Sequence, residues 1–134
     1  MRNMARLAEI RGRRAAESLM KDACSVSRPT GATVTDPETG KVSKVLTPVW
    51  AGRCKVQVDT PQSNHPTAGE HRYTVQASRV DIPVTAPPVI PGDVIEITRA
   101  GDAPGLVGTR YAVGELFKKS YQTAQRLPVE EVTA

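Results

Sequence analysis

The first residues of the chain carry apolar side chains at helical spacing. Residues 2–21 are rich in Ala, Leu, Glu and Arg and contain no proline, a composition typical of a helix. The positions that fall near one face are Met4, Leu7, Ala8, Arg11, Ala15 and Leu19. Gly12 weakens the centre by about 1 kcal/mol relative to alanine, so one helix and two shorter ones are both open. Because isolated helices of this length are marginal in water, we expect this segment to need a neighbour on which to dock.

After Asp22 the apolar period changes to two, in short segments between turn residues, a pattern typical of a β-sandwich or barrel. Cys24 and Val26, for example, alternate with serines. The sequence Asp-Pro-Glu-Thr-Gly at 36–40 predicts a hairpin tip, because proline presets the turn and glycine tolerates the left-handed conformation that ends it. Gly52 is a candidate for a β-bulge. The strands predicted from the alternation are residues 42–46, 49–58, 71–84, 93–99, 109–113 and 118–127.

These patterns predict a mainly β fold, a small antiparallel β-barrel or sandwich with an N-terminal α-helix and long loops. A chain of 134 residues suits one domain. We expect a basic helical arm at residues 1–22, the barrel at 23–128 and a C-terminal tail at 129–134. The segment 59–70 contains two prolines, an asparagine and a glycine and is expected to be a polar, exposed loop.

The charge of the chain is concentrated in the N-terminal arm. The formal net charge is +4, and residues 1–21 hold six basic and two acidic side chains, which leaves the remainder neutral. The arginines that we take as a candidate docking surface are Arg6, Arg11, Arg13 and Arg14. Clustered arginines also neutralise phosphates, but the arm has no aromatic residue to stack on bases. A helix docked on protein or facing solvent is therefore favoured over a DNA-binding one.

Candidate chemistry changes this picture little. Cys24 and Cys54 are predicted to be packed thiols rather than a disulfide. Together with His65 and His71 they supply zinc-ligand types, but their spacing lacks the paired geometry of a zinc site, so we predict no metal and no cofactor. No nucleophile, base or carboxylate pair has a catalytic signature, so we predict that the chain is not an enzyme. The sequence shows neither an apolar run of membrane-spanning length nor a signal peptide, so no membrane association and no secretion by that route are expected.

Five motifs, in their order along the chain, resemble one group of phage proteins. They are AESLMKDAC at 16–24, DPETG at 36–40, WAGRCKVQ at 50–57, VIPGDVI at 89–95 and YQTAQRLPVEEV at 121–132. With them the chain resembles the head-to-tail connector proteins, of the stopper or head-closure type, of tailed siphophages that infect actinobacteria.

The resemblance implies a β-barrel that assembles into a homo-oligomeric ring, with six or twelve copies and six favoured. Such a ring would lie in the neck of the virion, assembled in the cytoplasm of the bacterial host. Its partners would be portal and adaptor proteins on the head side, and a tail-terminator or tail-tube protein on the other. Packaged double-stranded DNA would pass through its channel without sequence-specific contacts.

In such a ring one long loop would line or close the channel. We expect this loop to be 59–70, because it is the longest interruption between two strong strands, and 99–108 is the runner-up. The candidate channel residues are Gln62, Ser63, Asn64, His65 and Thr67.

Two other functions stay open at this stage. The chain could be an adaptor or tail-terminator subunit of the same virion, although adaptors of this kind are usually more helical. It could also be a small barrel of the OB class that binds single-stranded nucleic acid, which would require aromatic side chains on an exposed face.

Overall fold

The structure is a computed structural model in which residues 3–59, 77–116 and 122–132 are described. These residues form one helix and six antiparallel strands that close into a barrel with the strand order β1-β2-β3-β6-β5-β4. The predicted mainly β fold with an N-terminal helix is confirmed. The elements are α1 Met4–Ser18, β1 Asp22–Thr35, β2 Val42–Asp59, β3 Ala77–Ile82, β4 Val94–Arg99, a 3-10 turn Pro104–Leu106, β5 Arg110–Val113 and β6 Gln125–Glu131.

Alternate residues of the strands fill the barrel interior. Predicted inward positions such as Val26, Ile95 and Ile97 are fully buried, because alternate side chains of a strand point to one face. The other buried strand residues in this core are Cys24, Cys54, Val80, Ile82, Tyr111, Val113, Leu127 and Val129. The core is therefore built mainly from aliphatic side chains, with Tyr111 as its large buried aromatic residue.

Cys24 and Cys54 lie on neighbouring strands inside the barrel, and both are buried free thiols, as predicted. The pKa of the Cys54 thiol is raised, first by its hydrogen bond with the Cys24 thiol and then by burial. Both effects favour the uncharged thiol, so Cys54 acts as a small hydrophobic residue of the core.

The region around Gly52 differs from the prediction. The two strands predicted at 42–46 and 49–58 are one continuous strand, β2. The predicted bulge at Gly52 is wrong, because the register with β1 runs without a shift from Val26 opposite Trp50 to Asp22 opposite Cys54. A Cβ at position 52 would overlap the Trp50 indole, with its Cη2 atom only 2.8 Å away. Glycine is required here to give the Trp50 ring room.

The C-terminal strand also lies elsewhere than predicted. The predicted strand at 118–127 is confirmed only for its last three residues, since β6 runs from Gln125 to Glu131 and residues 118–121 lie outside the described residues. The predicted tail from residue 129 is wrong, because the strand continues through it and Val129 is buried in the core. Pro128 lacks the N–H group that other strand residues can donate to a neighbouring strand. In the structure its carbonyl still accepts a hydrogen bond from the N–H of Gly114 at 2.8 Å, and the strand continues. The N-terminal part of the predicted strand 71–84 lies outside the described residues, and β3 ends at Ile82, before Pro83.

Candidate functional site

Helix α1 contacts the barrel with only one side. The residues of that side are partly buried, and they are Glu9, Ile10, Gly12, Arg13, Ala16 and Glu17. Gly12 lies close to the segment before β6, because a Cβ there would come within 2.7 Å of Cγ2 of Thr123. No residue of the helix is fully buried.

The opposite side of α1 carries most of the apolar residues of the helix and faces solvent. We call this side the outer stripe, which consists of Met4, Leu7, Ala8, Arg11, Arg14, Ala15 and Leu19. Met4, Leu7 and Leu19 are 67%, 49% and 55% exposed. The apolar face that the sequence predicts to dock on a neighbour therefore does not dock on its own barrel.

The ends of α1 do little to stabilise it. Asn3 at the N-cap makes no side-chain hydrogen bond to the helix, and the first turn holds no acidic residue. Arg6 lies near the positive end of the helix dipole and Glu17 near its negative end, so both charges are unfavourably placed. The helix depends on contacts with its surroundings.

The four arginines of the predicted docking surface do not share one face. Arg11 and Arg14 lie three residues apart on the outer stripe, whereas Arg6 and Arg13 lie seven apart on another side. Arg13 donates a hydrogen bond of 2.6 Å from Nη2 to Oε1 of Glu9. The outer stripe thus combines apolar side chains with two exposed cations.

A second feature that leaves the barrel is the distal half of the β1–β2 hairpin, residues 28–48, which we call the arm. β1 pairs with β4 only over Ala23–Ser27, and β2 pairs with β3 only over Lys55–Asp59. Beyond these points the described strands pair only with each other, and every residue from 30 to 44 is exposed. Two-stranded hairpins are marginal in water and have unpaired edges, so such an arm is typical of a contact with another subunit.

The arm is bent by a bulge in β1. Pro29 pairs with Leu46 and Thr33 pairs with Lys44, so residues 30–32 together lie opposite a single residue, Val45. Gly31 has a φ of 88°, a conformation that favours glycine. The Thr30 hydroxyl donates to the Val45 carbonyl at 3.1 Å and accepts from the Ala32 N–H at 3.2 Å. A bulge fixed in this way sets the direction of the arm.

The predicted hairpin tip at 36–40 is confirmed, and its outermost charges are acidic. Oδ1 of Asp36 accepts the Glu38 N–H at 2.9 Å, and this bond holds the pKa of Asp36 below its usual value. Val34 and Val42 are each 59% exposed. Val34 lies opposite Ser43 and Val42 lies opposite Thr35, so the two valines occupy opposite faces of the arm.

A partly buried ion pair, of which the carboxylate is the buried member, fixes the root of the arm. Arg28 donates to both carboxylate oxygens of Asp93, from Nε at 2.9 Å and from Nη2 at 3.0 Å. The Asp93 carboxylate is fully buried and also accepts the Ile90 N–H at 3.0 Å. Beside Arg28 a shallow groove of about 430 Å³ runs along the root, lined by Pro29, Thr30, Thr47, Pro48 and Val49.

The predicted channel residues Gln62, Ser63, Asn64, His65 and Thr67 lie outside the described residues, as does His71. The runner-up loop, 99–108, is held close to the barrel. Leu106 packs against the core, and the N–H of Gly108 donates to the Ile97 carbonyl at 2.8 Å.

Within the described ranges, no group of three His, Cys, Asp or Glu residues is placed to bind a metal ion. The same part of the chain holds no helix that is both long and apolar enough to cross a membrane.

The sequence predicts the turn at 36–40 but not the arm. The signal that could have revealed it is the composition of residues 30–47, where threonine, glycine and lysine replace the regular large apolar residues of a strand with one buried face. Likewise, the helical spacing of the outer stripe can be read in the sequence, but whether the stripe faces the barrel or solvent cannot.

Comparison with known proteins gives one family. No curated protein and no solved structure matches the chain. The model of a family of unknown function, DUF6093, matches residues 12–130, which include the arm and nearly the whole barrel. The chain therefore belongs to the DUF6093 family.

Proposed function

We propose that the chain is a non-enzymatic structural subunit of the neck of a tailed phage, a stopper or head-closure ring between the portal and adaptor proteins and the tail. The observation that carries the assembly part of this proposal is the pair of unpartnered surfaces, the arm and the outer stripe. A barrel that folds around its own core gains nothing from them as a free monomer, whereas a ring subunit needs contacts on two sides.

The place in the virion rests on the resemblance of the five sequence motifs to siphophage connector proteins. The mainly β fold supports the stopper over an adaptor, since adaptors of this kind are usually more helical. In a ring of six copies, the favoured number, the barrels would surround a channel for double-stranded DNA. The loop 59–70 remains our candidate for the channel-facing element.

A second candidate function is the binding of single-stranded nucleic acid. One observation favours it, a set of basic side chains on the outer faces of β2, β3 and β6, namely Arg53, Lys55, Arg79 and Arg126. However, Arg79 lies 2.9 Å from the carboxylate of Asp81, and Trp50 and Tyr111 belong to the core rather than to an exposed stacking platform. The connector is therefore the better-supported function.

Electron microscopy of the protein mixed with portal-bearing heads tests the proposal. We expect ring density stacked coaxially below the portal, in particles that lack it without the added protein. A chain that does not bind such heads but binds single-stranded DNA would contradict the proposal and support the nucleic-acid alternative.

Deletion of residues 62–67 tests the channel loop separately. We expect the shortened chain to form rings on heads but to let packaged DNA leak out. DNA retention equal to that of the full chain would contradict the assignment of this loop and leave the ring intact as a proposal.

A further inference from the structure

We infer that the tip of the arm of one copy docks on the outer stripe of α1 of the next copy, so that the ring is held together by an arm-to-helix contact. The inference deepens the proposed function and rests on it for the ring. The contact itself is inferred from the charged and apolar side chains of the described residues.

The charges of the two surfaces are complementary. The tip segment 36–40 carries two acids and no base, and Lys41 follows it opposite Asp36. The outermost charge is therefore Glu38, whose carboxylate has no ion-pair partner among the described residues. Arg11 and Arg14 on the outer stripe are likewise exposed and take part in none of the ion pairs of the described chain. Opposite charges on two exposed surfaces steer their encounter and fix their register.

The apolar side chains of the two surfaces also match. Met4, Leu7 and Leu19 form an exposed apolar strip on the helix, and Val34 and Val42 are exposed on the arm. Because the two valines lie on opposite faces of the arm, either face would bury one valine against the strip. Removing these groups from water favours association in proportion to the apolar area that is covered.

The two surfaces cannot meet within one chain. Strand β1 begins beside the end of α1 and ends at the tip, so the surfaces lie at opposite ends of 14 residues that span up to about 45 Å. Gly12 is held against Thr123, two residues before the start of β6, and the first residue of β6 pairs with Ile82 at the end of β3. Different surfaces on distant parts of one chain give head-to-tail association, which closes into a ring when the rotation between copies allows it.

A pair of charge reversals tests the contact. We expect Arg11→Glu, or Glu38→Arg, to weaken self-association about tenfold, and the double variant to recover most of the loss. The matched control is Arg6→Glu, which reverses a charge of the same helix away from the outer stripe and should leave association unchanged. Mass measurement over a range of protein concentrations, at low and high salt, gives the association constants. Losses that are equal for Arg11→Glu and Arg6→Glu, or that do not recover in the double variant, would overturn the inference.

Cross-linking tests the contact within the assembly itself. With Arg11→Cys and Glu38→Cys in one chain, we expect oxidation to join copies into a covalent ladder, both in solution and on portal-bearing heads. The control pair, Arg6→Cys with Glu38→Cys, should give no ladder. The natural thiols are buried and do not compete.

The outcomes separate this inference from the proposed function. Assemblies that bind heads without the Arg11→Cys to Glu38→Cys cross-link, or that join arm to arm through Glu38→Cys alone, would overturn the inference and leave the neck function standing. Cross-linked rings that do not bind portal-bearing heads would support the inference and count against the neck function. A chain that stays monomeric in solution and on heads would overturn the inference.

Discussion

Among single residues, Asp93 is the charged side chain most fully removed from water in the described structure. Its carboxylate is balanced by two hydrogen bonds from Arg28 and one from the Ile90 N–H. Because the two Arg28 bonds join the root of the arm to the segment before β4, they fix where the arm leaves the barrel, and the Ile90 bond holds the carboxylate in place within that segment. A buried carboxylate is tolerated only with such partners.

We expect Asp93→Ala to lower the free energy of unfolding by about 2–3 kcal/mol, since hydrogen bonds to a buried charged group are lost together. The measurement is urea denaturation of the two proteins under reducing conditions. The matched control is Glu96→Ala, which removes a more exposed pair with Arg110 and should cost less than about 1 kcal/mol. Equal losses for the two variants would show that the Arg28–Asp93 pair does not stabilise the barrel more than an exposed pair does.

The buried thiol of Cys54 makes stability depend on pH. Its pKa is raised in the folded state, so the stability it supports is complete below the unfolded-state value of about 8.5 and is lost as the pH rises above it. We expect the urea midpoint to fall between about pH 8 and pH 10, because only the unfolded chain can ionise this thiol there. Cys54→Val should show a smaller fall over the same range. A fall of the same size in both proteins would assign it to other groups.

At the scale of elements, α1 and β4 represent two extremes of local stability. The helix has no buried residue and no side-chain N-cap, whereas Ile95 and Ile97 of β4 are completely buried. Opening free energies follow such differences in packing. The helix should therefore be the first described element to open in the free chain.

Hydrogen exchange measures this difference directly. We expect the amides of α1 to exchange much faster than those of β4 in the free chain, and to become protected when copies assemble. The amides of β4 serve as the internal control, since their protection should be similar in both states. Equal protection of α1 and β4 in the free chain would mean that the helix is stabilised by its own barrel.

The elements of the barrel were largely predictable, because their alternation reflects a local rule. In β4, Ile95 and Ile97 alternate with polar residues, and the strand lies where the pattern placed it. Gly52 misled the prediction, because a glycine inside a strand often marks a bulge, whereas here it makes room for the side chain two residues before it. The Trp50 ring occupies the space above Gly52, and the Gly114 N–H satisfies the Pro128 carbonyl.

The candidate site was less predictable, since it depends on which way the helix face and the hairpin point relative to the barrel. The spacing of apolar residues does not determine that direction. The helical spacing identified Met4, Leu7 and Leu19 as one face, but no local rule tells whether that face meets its own barrel or another chain. The same limit applies to the arm, because the sequence predicts its turn and not the points where β3 and β4 stop pairing. The exposed face of α1 and the unpaired part of the arm both lie beyond the contacts that the barrel makes.

At the scale of the whole molecule, the described structure consists of a barrel whose apolar residues are buried within the chain and two surfaces whose apolar residues remain exposed. The buried hydrophobic residues of the described chain lie in the barrel strands, in the segment 83–93 or just before β1 and β6, and none lies in the exposed part of the arm. The energetic contribution of the arm to the fold of a single chain is therefore small, whereas its contribution to a ring would be large.

Replacement of residues 31–44 by Asn-Gly separates these two roles. The new turn joins Thr30 to Val45 directly, and Asn-Gly is the preferred sequence for a two-residue hairpin. We expect the free energy of unfolding to change by less than about 1 kcal/mol, because no buried side chain is removed. Self-association should be lost, since the tip that would meet the outer stripe is gone. Denaturant unfolding and mass measurement on the same preparation check both parts. An unfolded variant would show that the arm belongs to the fold, and a variant that still assembles would show that the arm is not what joins the copies.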